Sequence, residues 1–272
     1  MSTNWIEHEN GICWEESSLL QRLGLCHGVA GRSGGVSTGI FTSMNMALHV
    51  DDDVQSVLEN RRRFCETIGC SLQNFTTARQ THEDHIVAVG PAEIGSGAGS
   101  LADALDHTDA LMTNQPYIPL IIFVADCVPI ILYDAEHQAC AVVHDGWRGT
   151  VQRLVAKTVF AMRLAYGTDP ANLWAYIGPA ISADHYDVSE DTADQFRAMG
   201  QAYRTCVIER LHTRSIDLWQ ANHLLLQEAG LQEDHIDISS SCVYSNHERF
   251  FSSRYDQGHT GRNTAFVMIR QK

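Results

Sequence analysis

The 272-residue chain lacks any run of lysine and arginine that would offset its acidic side chains. Its formal net charge is -14, with 19 Lys and Arg residues against 33 Asp and Glu residues. Because an acidic chain without a basic patch is repelled by the nucleic-acid backbone, the composition argues against nucleic acid as a partner. The nearest basic cluster, Arg61, Arg62 and Arg63, is predicted to lie on a solvated helix face.

The chain also lacks a long apolar run and a targeting segment. Its longest apolar stretch, roughly 118–125, is far too short to cross a bilayer, so no membrane partner is expected. The first residues, MSTNWIEHEN, show neither the basic nor the apolar region of a secretory signal. The eight cysteines include no CxxC pair, and we expect them to be reduced thiols in a cytoplasmic protein.

Helix and strand patterns alternate along the chain without an obvious linker. Amphipathic helices are predicted over 53–68, 151–166 and 217–229. Each predicted helix is followed by a glycine, and Thr150 is the expected N-cap of the second. Short runs rich in Ile and Val predict strands over 86–89, 119–124, 129–133, 139–143, 173–177 and 265–269. Since DAEHQ separates two of these runs as a hairpin would, the sheet is expected to be mixed.

Three residues of metal-binding type stand beside apolar segments. They are His82 in RQTHEDH, Cys127 in LIIFVADC and His144 in AVVHDGWRG. Two imidazoles and one thiolate suit zinc, and three protein ligands leave the fourth tetrahedral position open, as in catalytic sites. Taken alone, each residue is more often a buried thiol or a structural histidine. No short ligand spacing joins the three, and His85 could replace His82 as a ligand.

Other polar residues are candidates for binding substrate or moving protons. Arg148 in HDGWRG offers an anion such as phosphate a planar fork of donors. Arg32 in GRSGG and Asn45 in SMNMALHV are polar residues among small or apolar ones, and either could instead satisfy loop backbone groups. Each presumed ligand adjoins a carboxylate that could be the general acid: Asp126, Asp145 and Glu83. Only geometry can choose among these carboxylates.

These segments and several others resemble the YfiH/YlmD family, long labelled laccase-like and later described as purine nucleoside phosphorylases. The shared stretches run in the family's order over about residues 27–269 and include HGVAGRSGGVSTGIFTSMNMALHVDDD, RQTHEDHI, DALMT, VADCVPIILYD, VVHDGWRGT, YIGPAISADHYDVSED and FFSSRYDQGHTGRNTAFVMI. The pairing of ADCxP with HxGWRG is specific. The chain departs from the commoner pattern at Asp145, where alanine is usual, at Glu83, where glycine is frequent, and in IGPAISADHY, which has no cysteine.

The resemblance implies a fold class of α/β (α+β) type, a layered α/β/β/α sandwich of mixed β-sheets flanked by helices, in one YfiH-like domain over 1–272. It implies that His82, Cys127 and His144 bind the metal and form the catalytic centre, with zinc as cofactor. The implied activity is phosphorolysis of adenosine, inosine and S-methyl-5'-thioadenosine, together with adenosine deamination. Purine nucleosides and phosphate are then the small-molecule partners, and a monomer is expected.

Three other functions stay open. A cysteine hydrolase or amidase acting on cell-wall precursor peptides would use Cys127 as the nucleophile and His144 or His82 as the base. Multicopper oxidases need several HxH pairs, and none of the 14 histidines forms one, so only weak oxidation by adventitiously bound Cu2+ is expected. A non-enzymatic role would be indicated by nucleoside binding without turnover.

Overall fold

Two six-stranded sheets dominate the computed structural model, which describes residues 3–270. The strands are β1 (Thr3–Glu7), β2 (Cys13–Ser17), β3 (Cys26–Ala30), β4 (Thr76–Thr77), β5 (Ile86–Ala88), β6 (Ala110–Thr113), β7 (Leu120–Val124), β8 (Val128–Asp134), β9 (Ala139–Asp145), β10 (Trp174–Ile177), β11 (Val207–Glu209), β12 (Arg214–Ile216), β13 (Ile236–Ile238) and β14 (Asn263–Met268). The helices are α1 (Ser18–Arg22), α2 (Val54–Ile68), α3 (Trp147–Val151), α4 (Leu154–Tyr166), α5 (Glu190–Ala198) and α6 (Leu218–Glu228). Within this part of the chain, no helix has the length and apolar character needed to cross a membrane.

Both sheets mix parallel and antiparallel pairs. The first sheet has the order β1-β2-β3-β14-β7-β4, and the second has the order β13-β10-β8-β9-β6-β5. Most neighbours are antiparallel, whereas β4 with β7, β5 with β6 and β10 with β13 are parallel. The predicted hairpin is confirmed as the antiparallel pair β8 and β9. Strands β11 and β12 form a separate ribbon.

Three apolar layers hold the sheets and helices together. Residues such as Ile122 and Val142 fill the space between the two sheets, because alternate side chains of each strand face inward. Helices α4 and α6 cover the outer face of the second sheet. Helix α2 packs Phe64 against the outer face of the first sheet, where its ring meets Phe266. The predicted α/β/β/α sandwich is confirmed.

The second predicted helix differs from the structure at its beginning. The sequence pattern predicts one helix over 151–166 with Thr150 as its N-cap, and this is wrong. Arg153 has a left-handed backbone conformation with φ +60°, which interrupts the helical hydrogen bonding and separates α3 from α4. Thr150 lies inside α3, and its hydroxyl donates 3.0 Å hydrogen bonds to Asp145 and to the carbonyl of Gly146.

The predicted solvated face of α2 also needs a correction. Arg62 is exposed and Arg63 is half-buried, and both pair with Glu59, as expected of a solvated face. Arg61, in contrast, is buried, with only 1% of its surface exposed. Its guanidinium donates to three backbone carbonyls, those of Met46, Gly97 and Ala98. The charge is tolerated in the core because these carbonyls satisfy the guanidinium donors.

Candidate metal centre

Cys127 lies where the chain crosses from one sheet to the other. Strand β7 ends at Val124 in the first sheet, and β8 begins at Val128 in the second. Between them Asp126 has φ +88°, which is uncommon for a residue other than glycine. The strands that end near Cys127 and near His144 are not paired with each other. These strands, β7 and β9, lie in different sheets, and β9 pairs with β8 and β6.

The structure brings the three proposed ligands together. The donor atoms of His82, Cys127 and His144 all lie within 4.8 Å of one another. His82 has φ +61° in the loop before β5, and His144 lies in β9. The two imidazole rings are 4.7 Å apart at an angle of 73°. His85, the alternative ligand, instead contacts the Thr108 hydroxyl at 3.1 Å.

One buried carboxylate, that of Asp109, orients two of these ligands. Its Oδ1 accepts a 2.7 Å hydrogen bond from Nδ1 of His144 and one of 3.1 Å from the backbone N–H of His82. Its Oδ2 accepts from the backbone N–H groups of Thr81 and Glu83 at 3.1 and 2.9 Å. Asp109 therefore ties the loop that carries one histidine to the side chain of the other.

Gly146 allows the backbone to pass close to the thiol. A Cβ atom at this position would lie 2.8 Å from Sγ of Cys127 and 3.5 Å from the ring of His82. Its φ of -76° is open to any residue, so the requirement for glycine is one of space. The donor set, the orienting carboxylate and this close approach fit a bound metal ion with His82, Cys127 and His144 as ligands.

The charges within the group are strongly coupled. Burial raises the pKa of the Cys127 thiol, but His144 and His82 more than offset this effect and lower that pKa to about 6. Burial lowers the pKa of His144, but Cys127 and Asp109 more than offset it and raise that pKa to about 10. The protein therefore favours a thiolate at Cys127, which is the form that binds metals and attacks electrophiles.

Two cavities meet at His82 and Cys127, and the smaller of them also reaches His144. The larger one, of about 540 Å³, is lined by His82, Cys127, Trp147, Arg148, Tyr186 and Arg254, among others. The smaller one, of about 280 Å³, is lined by His49, His82, Phe123, Cys127, His144 and Arg262, among others. Since His82 and Cys127 belong to both walls, a ligand in either cavity would touch the candidate metal centre.

The three predicted substrate-binding residues lie in different places. Arg148 lines the larger cavity, with its guanidinium 4.5 Å from the ring of Trp147. Arg32 lines neither cavity, since it donates to the carbonyls of Thr42 and His247 at 2.9 and 2.8 Å. Its donors serve the loop backbone, the alternative noted from the sequence.

Asn45 lies behind the smaller cavity and does not line it. The side chain is completely buried. Its amide donates to Asp52 at 2.8 Å, and its oxygen accepts a 3.1 Å hydrogen bond from the backbone N–H of Arg262. Asn45 therefore holds the backbone of a cavity residue.

The carboxylates beside the ligands have separate surroundings. Asp145 is completely buried and accepts from the Thr150 hydroxyl, and burial raises the pKa of its carboxyl to about 7. Asp126 lines the larger cavity, but its oxygens accept 2.6 Å hydrogen bonds from Ser252 and from the backbone N–H of Arg254. Glu83 is exposed and accepts from the Thr81 hydroxyl at 3.0 Å. None of these three carboxylates belongs to the group of donor atoms that lie within 4.8 Å of one another.

Comparison with known proteins assigns the chain to a family. The family model described as "Multi-copper polyphenol oxidoreductase laccase" matches residues 26–270. The chain belongs to this YfiH family. The YfiH relatives include "Purine nucleoside phosphorylase YlmD" of Bacillus subtilis, which is 33% identical over 90% of this chain and 88% of its own length. They also include "Purine nucleoside phosphorylase" of Bacteroides thetaiotaomicron, which is 32% identical over 93% of this chain and 95% of its own length.

Solved structures of the YfiH family share the fold. The hypothetical protein YfiH of Bacillus licheniformis superposes with a TM-score of 0.91 at 32% identity, covering 98% of this chain and 99% of that one. YlmD from Geobacillus stearothermophilus superposes with a TM-score of 0.92 at 30% identity, covering 99% of this chain and 100% of that one.

Sequence reasoning missed several residues of this YfiH-type centre. Asp109 begins DALMT, and Arg254 and Arg262 lie in FFSSRYDQGHTGRN, so all three stand in stretches that carried the family resemblance. Their polarity within those stretches was the available signal. Nothing local indicated that Asp109 would face His144, since 35 residues separate them in sequence.

Proposed function

We propose that this chain is a zinc-dependent enzyme that cleaves purine nucleosides with phosphate. The names of the Bacillus subtilis and Bacteroides thetaiotaomicron relatives support this reaction class. The proposed substrates are adenosine, inosine and S-methyl-5'-thioadenosine, which yield the base and ribose 1-phosphate or its methylthio derivative. Adenosine deamination is proposed as a second activity. The observation that carries the proposal is the convergence of His82, Cys127 and His144 where two cavities meet.

Zinc is the proposed metal because of the donor set. Two imidazoles and a thiolate are ligands that zinc accepts, and three protein ligands are typical of its catalytic sites. His144 donates from Nδ1 to Asp109, which leaves its other ring nitrogen available as a ligand. Bound zinc would supply a Lewis acid at the wall shared by the two cavities.

Arg148 is the proposed phosphate ligand. Among residues 3–270, no protein group accepts a hydrogen bond from its guanidinium, so its fork of donors remains available for phosphate oxygens. Arg254 and Arg262 line the neighbouring walls, although each donates to backbone carbonyls. Three guanidinium groups in a chain of net charge -14 create a local positive field that favours an anion.

The nucleoside is proposed to occupy the larger cavity. Its volume of about 540 Å³ falls within the usual range for small-molecule sites, and Trp147 and Tyr186 provide aromatic surface for a purine. Phosphorolysis requires the anomeric carbon beside the phosphate, whereas deamination requires the amino-bearing carbon beside the ligands. Because both cavities reach His82 and Cys127, one nucleoside could be held in either orientation.

A second candidate function is favoured by one observation. Cys127, His144 and Asp109 stand in the order of a nucleophile, a base and an orienting carboxylate. The donor atoms of Cys127 and His144 lie within 4.8 Å of each other, and Nδ1 of His144 donates to Asp109 at 2.7 Å. In an amidase acting on cell-wall precursor peptides, the Cys127 thiolate would attack the carbonyl carbon. The amide C–N bond would break, His144 would protonate the leaving amine, and water would hydrolyse the thioester.

A turnover screen with a cysteine variant tests the proposed function. Adenosine, inosine and S-methyl-5'-thioadenosine are assayed with and without phosphate, and bound zinc is measured on the same samples. We expect Cys127→Ala to abolish turnover and to lower bound zinc, whereas Cys26→Ala at the start of β3 changes neither. Unchanged zinc content in Cys127→Ala would overturn the proposed metal centre.

Chelation separates the two candidate functions. Bound zinc quenches the thiolate as a nucleophile, so the two mechanisms exclude each other at any one moment. We expect nucleoside turnover to disappear on complete metal removal and to return when zinc is added back. Amide hydrolysis that survives metal removal, without nucleoside turnover, would establish the cysteine mechanism instead.

A further inference from the structure

Cys65 and Cys70 meet at the C-terminal end of α2. The helix ends at Ile68, and Gly69 follows with a left-handed φ of +70°. The backbone N–H of Cys70 donates to the carbonyl of Cys65 at 2.9 Å, and that of Gly69 donates to Glu66 at 3.2 Å. These two hydrogen bonds define a Schellman motif, in which the residues at the positions of Cys65 and Cys70 commonly bring their side chains into contact.

In this chain both positions are cysteines. Both thiols are free, and Cys70 packs against the apolar cluster that contains Cys65. Cys65 is 1% exposed, whereas Cys70 is half-buried and can be reached from solvent. The two sulfur atoms are therefore held together by the backbone, and only one of them is accessible to a reagent.

A guanidinium group completes the site. Arg270 donates from Nη2 to the carbonyl of Ile68 at 2.7 Å, which fixes it beside the end of the helix. Interaction with the neighbouring Cys65 thiol lowers the pKa of Cys70 despite partial burial, and the charge of Arg270 lowers it further. Interaction with Cys70 raises the pKa of Cys65, and burial raises it further. The two thiols thus differ in character, with Cys70 the more acidic.

We propose that Cys70 and Cys65 form a modification site for hydroperoxides, in which Cys70 reacts first and Cys65 resolves the product to a disulfide. The Cys70 thiolate attacks the terminal peroxide oxygen, the O–O bond breaks, and hydroxide or an alkoxide leaves. Cys70 is then a sulfenic acid, oxidised by two electrons. The Cys65 sulfur attacks the Cys70 sulfur, the S–O bond breaks, and the proton of Cys65 leaves with the hydroxyl group as water.

The backbone selects Cys65 as the resolving thiol. Cys26 is the competing candidate, because it packs against the same apolar cluster as Cys70 and the charge of Arg270 acts on both thiols. Cys26 belongs to β3, however, and no backbone hydrogen bond ties it to Cys70, whereas one does tie Cys65. Sulfur atoms must approach to about 2.05 Å to form a disulfide, which favours the pair already in contact through the backbone.

Peroxide treatment followed by peptide mapping tests the proposal. The zinc-loaded full-length protein is treated with hydrogen peroxide, alkylated and digested, alongside Cys127→Ser so that the thiol of the metal centre does not compete. We expect a Cys65–Cys70 disulfide, with a mass decrease of about 2 Da, in both proteins. In Cys65→Ser we expect a trappable sulfenic acid at Cys70, and in Cys70→Ser we expect Cys65 to stay reduced.

Matched controls keep the proposal open to refutation. Cys26→Ser is expected to form the Cys65–Cys70 disulfide at the wild-type rate. A Cys26–Cys70 disulfide would overturn the choice of resolving thiol, and oxidation elsewhere with Cys70 still reduced would overturn the whole site. A trivalent arsenical, which bridges adjacent thiols, provides a test on unmodified wild type in case a variant does not fold. Arsenic bound across Cys65 and Cys70 in the peptide map supports the pair, and alkylation of Cys70 at its original rate contradicts it.

Discussion

The carboxylate of Asp109 accepts a 2.7 Å hydrogen bond from Nδ1 of His144, and both residues are buried. This bond fixes the tautomer and the direction of the imidazole. The other ring nitrogen is then available to the metal-binding group that His144 forms with His82 and Cys127. The same carboxylate holds the backbone of His82. Both candidate functions, the zinc enzyme and the cysteine amidase, would therefore depend on the Asp109 carboxylate.

Replacing Asp109 with asparagine is expected to weaken zinc binding by about 10- to 100-fold. The amide keeps the shape of the side chain, but its NH2 group would face the backbone N–H groups of Thr81 and Glu83, which are also donors. Competition with a chromophoric chelator measures the affinity. Asp106→Asn is the matched control, because Asp106 is exposed and pairs with Arg79. Equal zinc affinity in both variants would contradict the orienting role of Asp109.

Gly146→Ala is expected to lower zinc affinity on the order of tenfold, because the new Cβ atom would lie 2.8 Å from Sγ of Cys127 and displace the thiolate. Gly99→Ala is the matched control, since nothing lies within 4 Å of a Cβ at that position. The chelator competition is run beside urea unfolding of both variants. A loss of stability without a change in zinc affinity would show that the space is needed for folding and not for the metal.

Arg148→Lys is expected to raise the KM for phosphate by about tenfold or more while the KM for the nucleoside changes little, because lysine cannot bind two phosphate oxygens with a planar fork. Steady-state kinetics with phosphate as the varied substrate measure this difference. Arg163→Lys, on the exposed side of α4, is the control. If the nucleoside KM rises and the phosphate KM does not, Arg148 binds the nucleoside instead.

His27 is expected to make the protein less stable in mild acid. Its Nε2 accepts a 3.0 Å hydrogen bond from the backbone N–H of Ser17, and burial lowers the pKa of the imidazole to about 4. Because the unfolded chain binds this proton near pH 6.5, the stabilisation is complete above that pH and is lost as pH falls from 6.5 towards 4. Urea unfolding at about pH 7.5 and about pH 5 should show a loss about 2 kcal/mol larger in wild type than in His27→Gln. Equal losses in the two proteins would contradict the assignment.

Arg61→Met is expected to lower the free energy of unfolding by about 2–4 kcal/mol, because it leaves buried backbone carbonyls without donors. Arg62→Met, one position further along α2, should stay within about 0.5 kcal/mol, since Arg62 is exposed and its ion pairs are weak. Urea unfolding of the two variants measures the contrast. Similar free energies of unfolding for both variants would mean that the buried guanidinium of Arg61 contributes no more to stability than the exposed one of Arg62.

Much of the regular structure is readable from local patterns. The predicted helix over 53–68 is confirmed, with Asp53 as its N-cap and Gly69 ending it. The six predicted strands correspond to β5, β7, β8, β9, β10 and β14, each within about two residues at its ends. The N-terminal strands β1 to β3 were missed, because polar residues such as Glu15 and Glu16 interrupt their apolar pattern. Glu15 is nevertheless buried, where it accepts a 2.9 Å hydrogen bond from Tyr176.

The amino-acid sequence by itself determined the acidic composition, the main periodic elements and, through the family resemblance, the identity of the three proposed ligands. Only the tertiary structure decided that these ligands converge, since each is carried by a different part of two packed sheets. It also decided that Asp109 faces His144, that Arg61 is buried, and that Arg32 and Asn45 bind backbone groups or neighbouring side chains. The physical reason is that periodicity reports only which face of one element is apolar. The contacts of a polar side chain depend on which distant strands pair and how the sheets pack.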